Sequence, residues 1–229
     1  MAYIRSALFW PLFLLSSAFW VTLAFLVAPF SSKWVGSVSR AWARSFLGLA
    51  RLVLGVRKRV EGRAPPGPHL FAVKHGSMYE TADSLLIGHE PVVVLKKELA
   101  DIPGWGWAAR RYGVIAIDRA GGAQALRAML AQAKAGVAQG RSVVIFPEGT
   151  RVPVGGTPPL QAGFGGLYKA VGLPVVPVAV DSARVWRRGL LQRPGVIRYR
   201  FGDVIPPGLG REEAERRVHA AINAFEQAG

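Results

Sequence analysis

Cysteine is absent from the 229 residues of this chain, and acidic side chains are few. Without cysteine the chain has no disulfide, thiolate nucleophile, zinc–thiolate site or iron–sulfur cluster. Only 14 Asp and Glu residues stand against 29 Lys and Arg, which gives a formal net charge of +15. So large a positive charge indicates an anionic partner, either nucleic acid or a phospholipid surface. Composition alone does not choose between the two.

Several familiar binding signatures are also missing. The four histidines, at positions 69, 75, 89 and 219, have no metal-ligand spacing, so we predict no metal site. No phosphate-binding glycine loop and no G-x-S-x-G nucleophile turn follows a predicted strand. Apolar residues make up 51% of the chain, which excludes a disordered protein.

One long apolar segment is present near the N-terminus. Residues 6–32 contain no charge, and a helix over them would be about 40 Å long, more than the ~30 Å hydrocarbon core of a bilayer. Pro11 and Pro29 predict that the helix is trimmed to residues 12–28. A spanning helix, a re-entrant or interfacial hairpin and a cleaved signal peptide are the three interpretations.

Basic residues lie mainly on the C-terminal side of this segment. Arg5 precedes it, whereas Lys33, Arg40, Arg44 and Arg51 follow, so the positive-inside rule places everything after Lys33 in the cytoplasm. Residues 33–56 predict an amphipathic helix with tryptophans on one face and arginines on another. We interpret it as lying among lipid headgroups, the alternative being a helix packed on the protein core with a solvated basic face.

From residue 56 onward, short apolar strands alternate with helices. Strands are predicted at residues 57–60, 70–73, 92–95, 114–117, 142–146, 175–180 and 196–201. The main helices are predicted at residues 78–88, 100–112 (interrupted at Pro103) and 123–138, with a short one near 165–171 and a closing one from Arg211. This pattern predicts an α/β domain over residues 56–229 with a largely parallel sheet flanked by helices, preceded by a membrane-anchoring segment over residues 1–55.

One histidine has a suggestive neighbour. His75 follows the predicted strand 70–73, and Glu80 comes five positions later. In a continuous helix the two side chains would diverge, so they converge only if His75 precedes the helix, with Gly76 and Ser77 forming the turn. A carboxylate on one imidazole nitrogen leaves the other as a base. Taken alone, such a pair at a strand end is more often structural.

Two further segments carry charge at the ends of strands. Residues 146–151 read Phe-Pro-Glu-Gly-Thr-Arg, and residues 113–119 form a strand that ends in Asp118 and Arg119. The carboxyl ends of strands line the ligand crevice of open α/β sheets, and arginine suits phosphate. Separately, each segment is also consistent with a solvated surface turn.

Together these segments resemble the sequence blocks of the glycerophospholipid acyltransferase superfamily, in particular its 1-acylglycerol-3-phosphate acyltransferase (PlsC-type) family. The first block of that family is His-x4-Asp, and here Glu80 replaces the aspartate. The second is a strand ending in arginine, the third is Phe-Pro-Glu-Gly-Thr-Arg, and the fourth is an apolar strand with an internal proline, matched at residues 175–178. The resemblance covers residues 56–185.

The resemblance implies transfer of an acyl group from acyl-CoA or acyl-carrier protein to the sn-2 hydroxyl of 1-acylglycerol-3-phosphate, giving phosphatidic acid. His75 would be the general base and Glu80 the group that orients it. Substrate-binding roles are implied for the following residues: Arg119, Glu148, Gly149, Thr150, Arg151 and Lys74. Asp83 is a secondary candidate for the carboxylate, and Ser77 is interpreted as a helix cap. Beyond the thioester co-substrate, no cofactor is expected.

The expected partners are a phospholipid bilayer, a lysophospholipid and the acyl thioester, with no nucleic acid. The expected location is the inner membrane, with the catalytic domain on its cytoplasmic face. Two other functions remain open from the sequence: acylation of another lysolipid, such as a lyso-ornithine lipid, and a membrane-tethered basic protein that binds without catalysis.

Overall fold

The computed structural model describes residues 1–118 and 121–226, so the predicted phosphate ligand Arg119 lies outside the described residues. The helices are α1 (Ala2–Val27), α2 (Ser32–Leu49), α3 (Tyr79–Asp83), α4 (Lys97–Ala100), α5 (Trp105–Tyr112), α6 (Gly122–Ala138), α7 (Ala162–Val171), α8 (Ser182–Val185) and α9 (Arg211–Ile222). The strands are β1 (Val56–Glu61), β2 (Leu70–Val73), β3 (Val92–Lys96), β4 (Ile115–Ile117), β5 (Val143–Ile145), β6 (Val175–Val180) and β7 (Gly195–Phe201). A π-helical turn, Ala50–Leu54, follows α2, and a 3₁₀ turn, Ser84–Leu86, follows α3.

The described strands form one seven-stranded sheet in the order β1-β7-β6-β2-β5-β3-β4. Every neighbouring pair is parallel except β6 and β7, which are antiparallel. The predicted fold class, a largely parallel sheet flanked by helices, is therefore confirmed. The carboxyl ends of β2, β5, β3 and β4 meet at the same edge of the sheet, because these four strands run in one direction.

The sheet is covered on both faces, which explains why its central strands lack polar alternation. All four residues of β2 are buried. Phe71 and Val73 belong to a cluster that also contains residues of α1, α2 and α3, whereas Leu70 and Ala72 belong to a second cluster with α6, α7 and α9. Successive side chains point to opposite faces of a strand, so a continuously apolar strand is what a three-layer domain requires.

Helices α1 and α2 form an antiparallel hairpin against the first of these clusters. The helix α1 begins at Ala2 and passes through Pro11, so the prediction that Pro11 would delay its start to residue 12 is wrong. A proline removes one backbone hydrogen bond. Tertiary packing offsets the loss here, because Phe9 is fully buried and contacts the rings of Phe46 and Trp186.

Helix α2 packs on the α/β domain along much of its length. Its residues Val35, Ala43 and Phe46 are buried in the core cluster, while Trp34 is exposed. Trp42 contacts Trp105 of α5 and donates its ring N–H to Ser17 of α1 at 3.0 Å. The face of α2 that we interpreted as lying among headgroups therefore packs largely against the rest of the protein. Helix α1 lies on the outside of α2.

Candidate active site

The candidate site lies where β2 and β5 end side by side. The two strands are paired in parallel, with Ala72 opposite Ile145. The chain therefore leaves the sheet at His75 and at Phe146 in neighbouring positions, and the imidazole lies 4.4 Å from the ring of Phe146 between centroids. Residues 146–151, the third block, lie beside His75. The N–H of the next residue, Val152, donates to the His75 carbonyl at 2.7 Å.

His75 and Glu80 converge as the sequence predicted. The distance between His75 Nδ1 and Glu80 Oε1 is 3.0 Å, and the Glu80 side chain is fully buried, while that of His75 is 15% exposed. Helix α3 begins only at Tyr79, so His75 precedes the helix and its side chain can turn back toward it. The extra methylene of Glu80 over the aspartate of the family is thus accommodated.

The turn between the two residues is stabilised by the same carboxylate. Glu80 Oε1 accepts the backbone N–H of Gly76 at 2.7 Å and that of Ser77 at 2.5 Å, and Oε2 accepts the Ser77 hydroxyl at 2.7 Å. Ser77 Oγ also accepts the N–H of Tyr79. Ser77, which we interpreted as a helix cap, lies one residue before the N-cap residue Met78, and its hydroxyl is occupied by Tyr79 and Glu80.

Gly76 is needed for close packing. A Cβ at this position would lie 3.0 Å from the Ser182 hydroxyl and from Ala183 at the start of α8. The turn that orients His75 is therefore in close contact with Ser182 and Ala183, which follow β6.

The surroundings of Glu80 favour its ionised form. Burial alone would raise the pKa of Glu80, but the hydrogen bond and positive charge of His75 and the Ser77 N–H outweigh it and leave the pKa below its usual value of 4.5. An ionised carboxylate only accepts, so Nδ1 carries the hydrogen that points at Glu80. In the neutral imidazole the other ring nitrogen, Nε2, then has a free lone pair and can act as a base.

A buried ion pair holds the backbone of His75 from beneath. Glu148 Oε2 accepts the His75 N–H at 2.9 Å, and its Oε1 accepts from Lys74 Nζ at 2.6 Å. Lys74 Nζ also donates to the carbonyl of Gly156 and to Asn223 Oδ1 after α9. All three ammonium hydrogens are thus occupied within the protein. The geometry favours an internal role for Lys74 and Glu148 in place of the substrate contacts that the resemblance implied.

A cavity of about 610 Å³ opens over His75 at the carboxyl end of the sheet. Its walls include Gly149, Thr150 and Arg151, the remaining predicted binding residues of the third block. Gly149 adopts a left-handed backbone conformation, with a φ of 72°, which a side chain would strain. No hydrogen bond joins the Arg151 guanidinium to another described residue, so it is available to a ligand.

A second cavity, of about 380 Å³, lies between the helical hairpin and the domain. Its walls are mainly apolar side chains of α1, α2 and α5, including Trp20, Trp42 and Trp105. Four residues line both cavities: Thr81, Leu95, Leu99 and Arg151. This more uniformly apolar compartment therefore adjoins the cavity that contains His75.

Asp83, the secondary candidate for the orienting carboxylate, lies elsewhere. It is buried and accepts from Lys58 Nζ of β1 at 2.5 Å. Among residues 1–118 and 121–226, no group of three or more His, Asp or Glu side chains is arranged to hold a metal ion.

Sequence reasoning missed three residues of this region. Lys96 and Arg188 line the cavity of His75, and Asn223 completes the hydrogen bonds of Lys74. Lys96 is the last residue of β3, a strand-end position that the α/β pattern could have singled out. Asn223 is 149 positions from Lys74, and no local pattern in the sequence connects them.

Comparison with known proteins identifies the family of the chain. A model of the family described as Acyltransferase matches residues 57–181, and the chain therefore belongs to the acyltransferase family. Over 228 residues, 96% of this chain and 86% of the relative, it is 36% identical to the 1-acyl-sn-glycerol-3-phosphate acyltransferase of Pseudomonas aeruginosa. That similarity places it within the 1-acylglycerol-3-phosphate acyltransferase, or PlsC-type, branch of the family.

One more relative and one solved structure extend the comparison. The 1-acyl-sn-glycerol-3-phosphate acyltransferase of Cocos nucifera is 31% identical over 142 residues, 61% of this chain and 46% of that one. The crystal structure of the 1-acyl-sn-glycerophosphate (LPA) acyltransferase PlsC from Thermotoga maritima superposes with a TM-score of 0.80 at 20% identity, covering 100% of this chain and 97% of that one. At that identity the superposition shows a shared fold.

Proposed function

We propose that this acyltransferase transfers a fatty acyl group from an acyl thioester to the sn-2 hydroxyl of 1-acylglycerol-3-phosphate. The new ester bond forms as the thioester bond breaks, so the products are phosphatidic acid and a free thiol. The donor is acyl-CoA or acyl-carrier protein. The observation that carries the proposal is the His75–Glu80 pair, with its free ring nitrogen, at a cavity lined by cationic side chains.

His75 acts as the general base. Its Nε2 takes the proton of the acceptor hydroxyl as the oxygen attacks the thioester carbonyl, and the resulting imidazolium is stabilised by Glu80 at 3.0 Å. The proton then passes to the departing thiolate. Base catalysis of this kind is worth about 10²–10⁴ in rate.

The two adjoining cavities suit the two chemical halves of the substrates. Lys96 and Arg151 line the larger cavity and would contact the acceptor phosphate, together with the predicted ligand Arg119. The apolar cavity would hold an acyl chain next to the reacting atoms. The larger cavity carries cationic side chains and the cavity beneath α1 is apolar, which supports a substrate that has both a phosphate and a hydrocarbon chain.

We further propose that α1 docks the protein on the cytoplasmic face of the inner membrane. The helix is long and apolar enough to cross a bilayer, and only 6% of its most apolar window is buried. Both of its ends nevertheless contact the catalytic domain, through Trp10 at Leu190 and through Phe25 at Trp107. This packing favours the interfacial hairpin over a helix that spans the membrane away from the domain.

Acyl transfer by the purified protein in phospholipid vesicles tests the acceptor and the donor together. Acceptors should be 1-acylglycerol-3-phosphate, a lyso-ornithine lipid and a monoacylglycerol, each with acyl-CoA and with acyl-carrier protein. We expect diacylated product only from the phosphate-bearing acceptor. Efficient acylation of the lyso-ornithine lipid instead would overturn the proposed acceptor, and no product from any pair would overturn the proposed reaction.

A further inference from the structure

We propose that Arg188 is an additional ligand of the acceptor phosphate and that Gln192 is its positioning residue. This inference rests on the proposed function, because it assigns a specificity-determining residue to the same acceptor. Neither residue lies in the sequence segments from which the site was predicted.

Arg188 belongs to the wall of the cavity that contains His75, although it follows β6 by eight positions. Its guanidinium donates to the backbone carbonyl of Arg151 at 3.3 Å. Two arginines from distant parts of the chain therefore meet at one rim. No carboxylate among the described residues pairs with the Arg188 guanidinium, so its remaining N–H groups can bind an anion.

The charges around the cavity favour a phosphate over a neutral group. Among the described residues, Lys96, Arg151 and Arg188 line it with positive charge, and Asp118 is the only acid. A phosphate monoester carries between one and two negative charges near neutral pH and three acceptor oxygens, which matches several guanidinium donors better than a neutral headgroup does.

The loop that carries Arg188 is held rigidly, as a binding residue requires. Gln192 is buried, with 1% of its surface exposed. Its Oε1 accepts the Arg187 N–H at 3.1 Å, and its Nε2 donates to the carbonyls of Arg187 and Gly189 at 3.0 and 2.7 Å. The side-chain amide thus closes the loop on both sides of Arg188.

The same loop is attached to α1. The Gln192 N–H donates to the Ser6 hydroxyl at 2.9 Å, and the Trp10 ring N–H donates to the Leu190 carbonyl at 2.6 Å. The N-terminal helix therefore supports the phosphate-binding rim as well as the apolar surface of the protein.

The test compares Arg188→Ala with Arg187→Ala, an exposed arginine on the same loop that does not line the cavity. For Arg188→Ala we expect the KM for 1-acylglycerol-3-phosphate to rise about tenfold, because one charge-assisted hydrogen bond is lost. The KM for acyl-CoA should be unchanged. Arg187→Ala should behave as the unmodified protein. Equal behaviour of the two variants, or a shift in the donor KM instead, would overturn the assignment.

A double-mutant cycle tests the role of Gln192. Gln192→Glu removes the donors to the loop carbonyls, and we expect it to raise the acceptor KM in the unmodified background but not in the Arg188→Ala background. Ser6→Ala is the milder second variant, with a smaller effect in the same direction. If the effect of Gln192→Glu on the acceptor KM adds to that of Arg188→Ala, and the effect of Ser6→Ala does so too, the positioning role is overturned. If the unmodified protein makes no phosphatidic acid, the proposed function itself fails, a result distinct from these.

Discussion

His75 is restrained at four points, three of them by residues 146–152 and one by Glu80. Its backbone N–H donates to Glu148 and its carbonyl accepts from Val152, while its ring contacts Glu80 and Phe146. A catalytic base fixed in this way loses little entropy at the transition state. The roles of the surrounding residues can therefore be separated by asking which restraint each one supplies.

Glu80 supplies both charge and geometry, and two substitutions separate them. We expect Glu80→Gln to lose about 10²-fold or more in kcat, because a neutral amide does not stabilise the imidazolium. Glu80→Asp keeps the charge, but its shorter side chain cannot preserve all three contacts of Oε1, so an intermediate activity is expected. Steady-state kinetics of both variants measure the order. Glutamine as active as glutamate would show that Glu80 is not the orienting carboxylate.

The lowered pKa of Glu80 also predicts a pH dependence of stability. Between its folded value and its ordinary value of 4.5, the unfolded chain binds more protons, so the stabilisation by Glu80 is complete above pH 4.5 and is lost as the pH falls below it. We expect thermal unfolding midpoints of Glu80→Gln to vary less with pH in that range than those of the unmodified protein. Glu212→Gln, at an exposed glutamate, is the control. Parallel profiles for all three proteins would refute the assignment.

The ion pair of Lys74 and Glu148 is buried, which makes it sensitive to loss of one partner. We expect Lys74→Met to reduce the free energy of unfolding by about 3–5 kcal/mol, because it leaves an uncompensated buried carboxylate. Adding Glu148→Gln should restore part of that stability. Denaturant titration of the two proteins measures the difference. A double variant less stable than Lys74→Met would contradict this account.

The sequence predicted those parts of the site whose residues lie close together along the chain. The positions of His75 and Glu80 could be inferred, because both lie within one strand–turn–helix. The roles of Lys74 and Glu148 could not, since the group that completes their network, Asn223, is supplied by the end of α9. Arg188 was missed for the same reason: only the fold brings its loop to the rim of the cavity.

At the scale of elements, strands were predicted better than helices. β2 and β6 lie where the apolar runs placed them, because residues buried on both faces leave a clear signal. The start of α1 was missed because Phe9 and its aromatic neighbours hold a helix that Pro11 would otherwise end. A helix that packs on the protein core has the same apolar periodicity as a helix that lies on a lipid surface. The sequence pattern of α2 therefore did not distinguish these two environments.

The exposed face of α1 makes a direct prediction about membrane binding. Leu15 and Phe19 lie one turn apart and are 69% and 60% exposed. We expect the double variant Leu15→Glu, Phe19→Glu to bind neutral phospholipid vesicles at least about 100-fold more weakly. Each of the two side chains contributes about 1.5–3 kcal/mol when it is buried in the bilayer. Vesicle flotation measures the bound fraction.

The matched control for this pair lies on the sheet. Val60 and Val196 are 47% and 48% exposed on β1 and β7, so Val60→Glu with Val196→Glu introduces the same charge away from α1. This variant should bind vesicles as the unmodified protein does. Equal loss in both variants would mean that net charge, and not the apolar face of α1, governs the association.

At the scale of the whole molecule, the proposed membrane association draws on both the positive charge and the apolar helix. In that association the net charge of +15 would attract anionic headgroups, and the apolar face of α1 would supply burial in the bilayer that salt does not screen. Both substrates of the proposed reaction carry hydrocarbon chains. In the proposed mechanism, the apolar compartment beneath α1 adjoins the cavity of His75 and would let both substrates reach His75 from the membrane surface.

The most direct test of the account is formation of phosphatidic acid by purified protein with and without the imidazole of His75. The protein should convert 1-acylglycerol-3-phosphate and acyl-CoA to phosphatidic acid, and His75→Ala should lower the rate about 10²–10⁴-fold with its fold intact by circular dichroism. His89→Ala, at an exposed histidine, should leave the rate unchanged. A His75→Ala protein that keeps more than about a tenth of the activity would contradict general-base catalysis by His75.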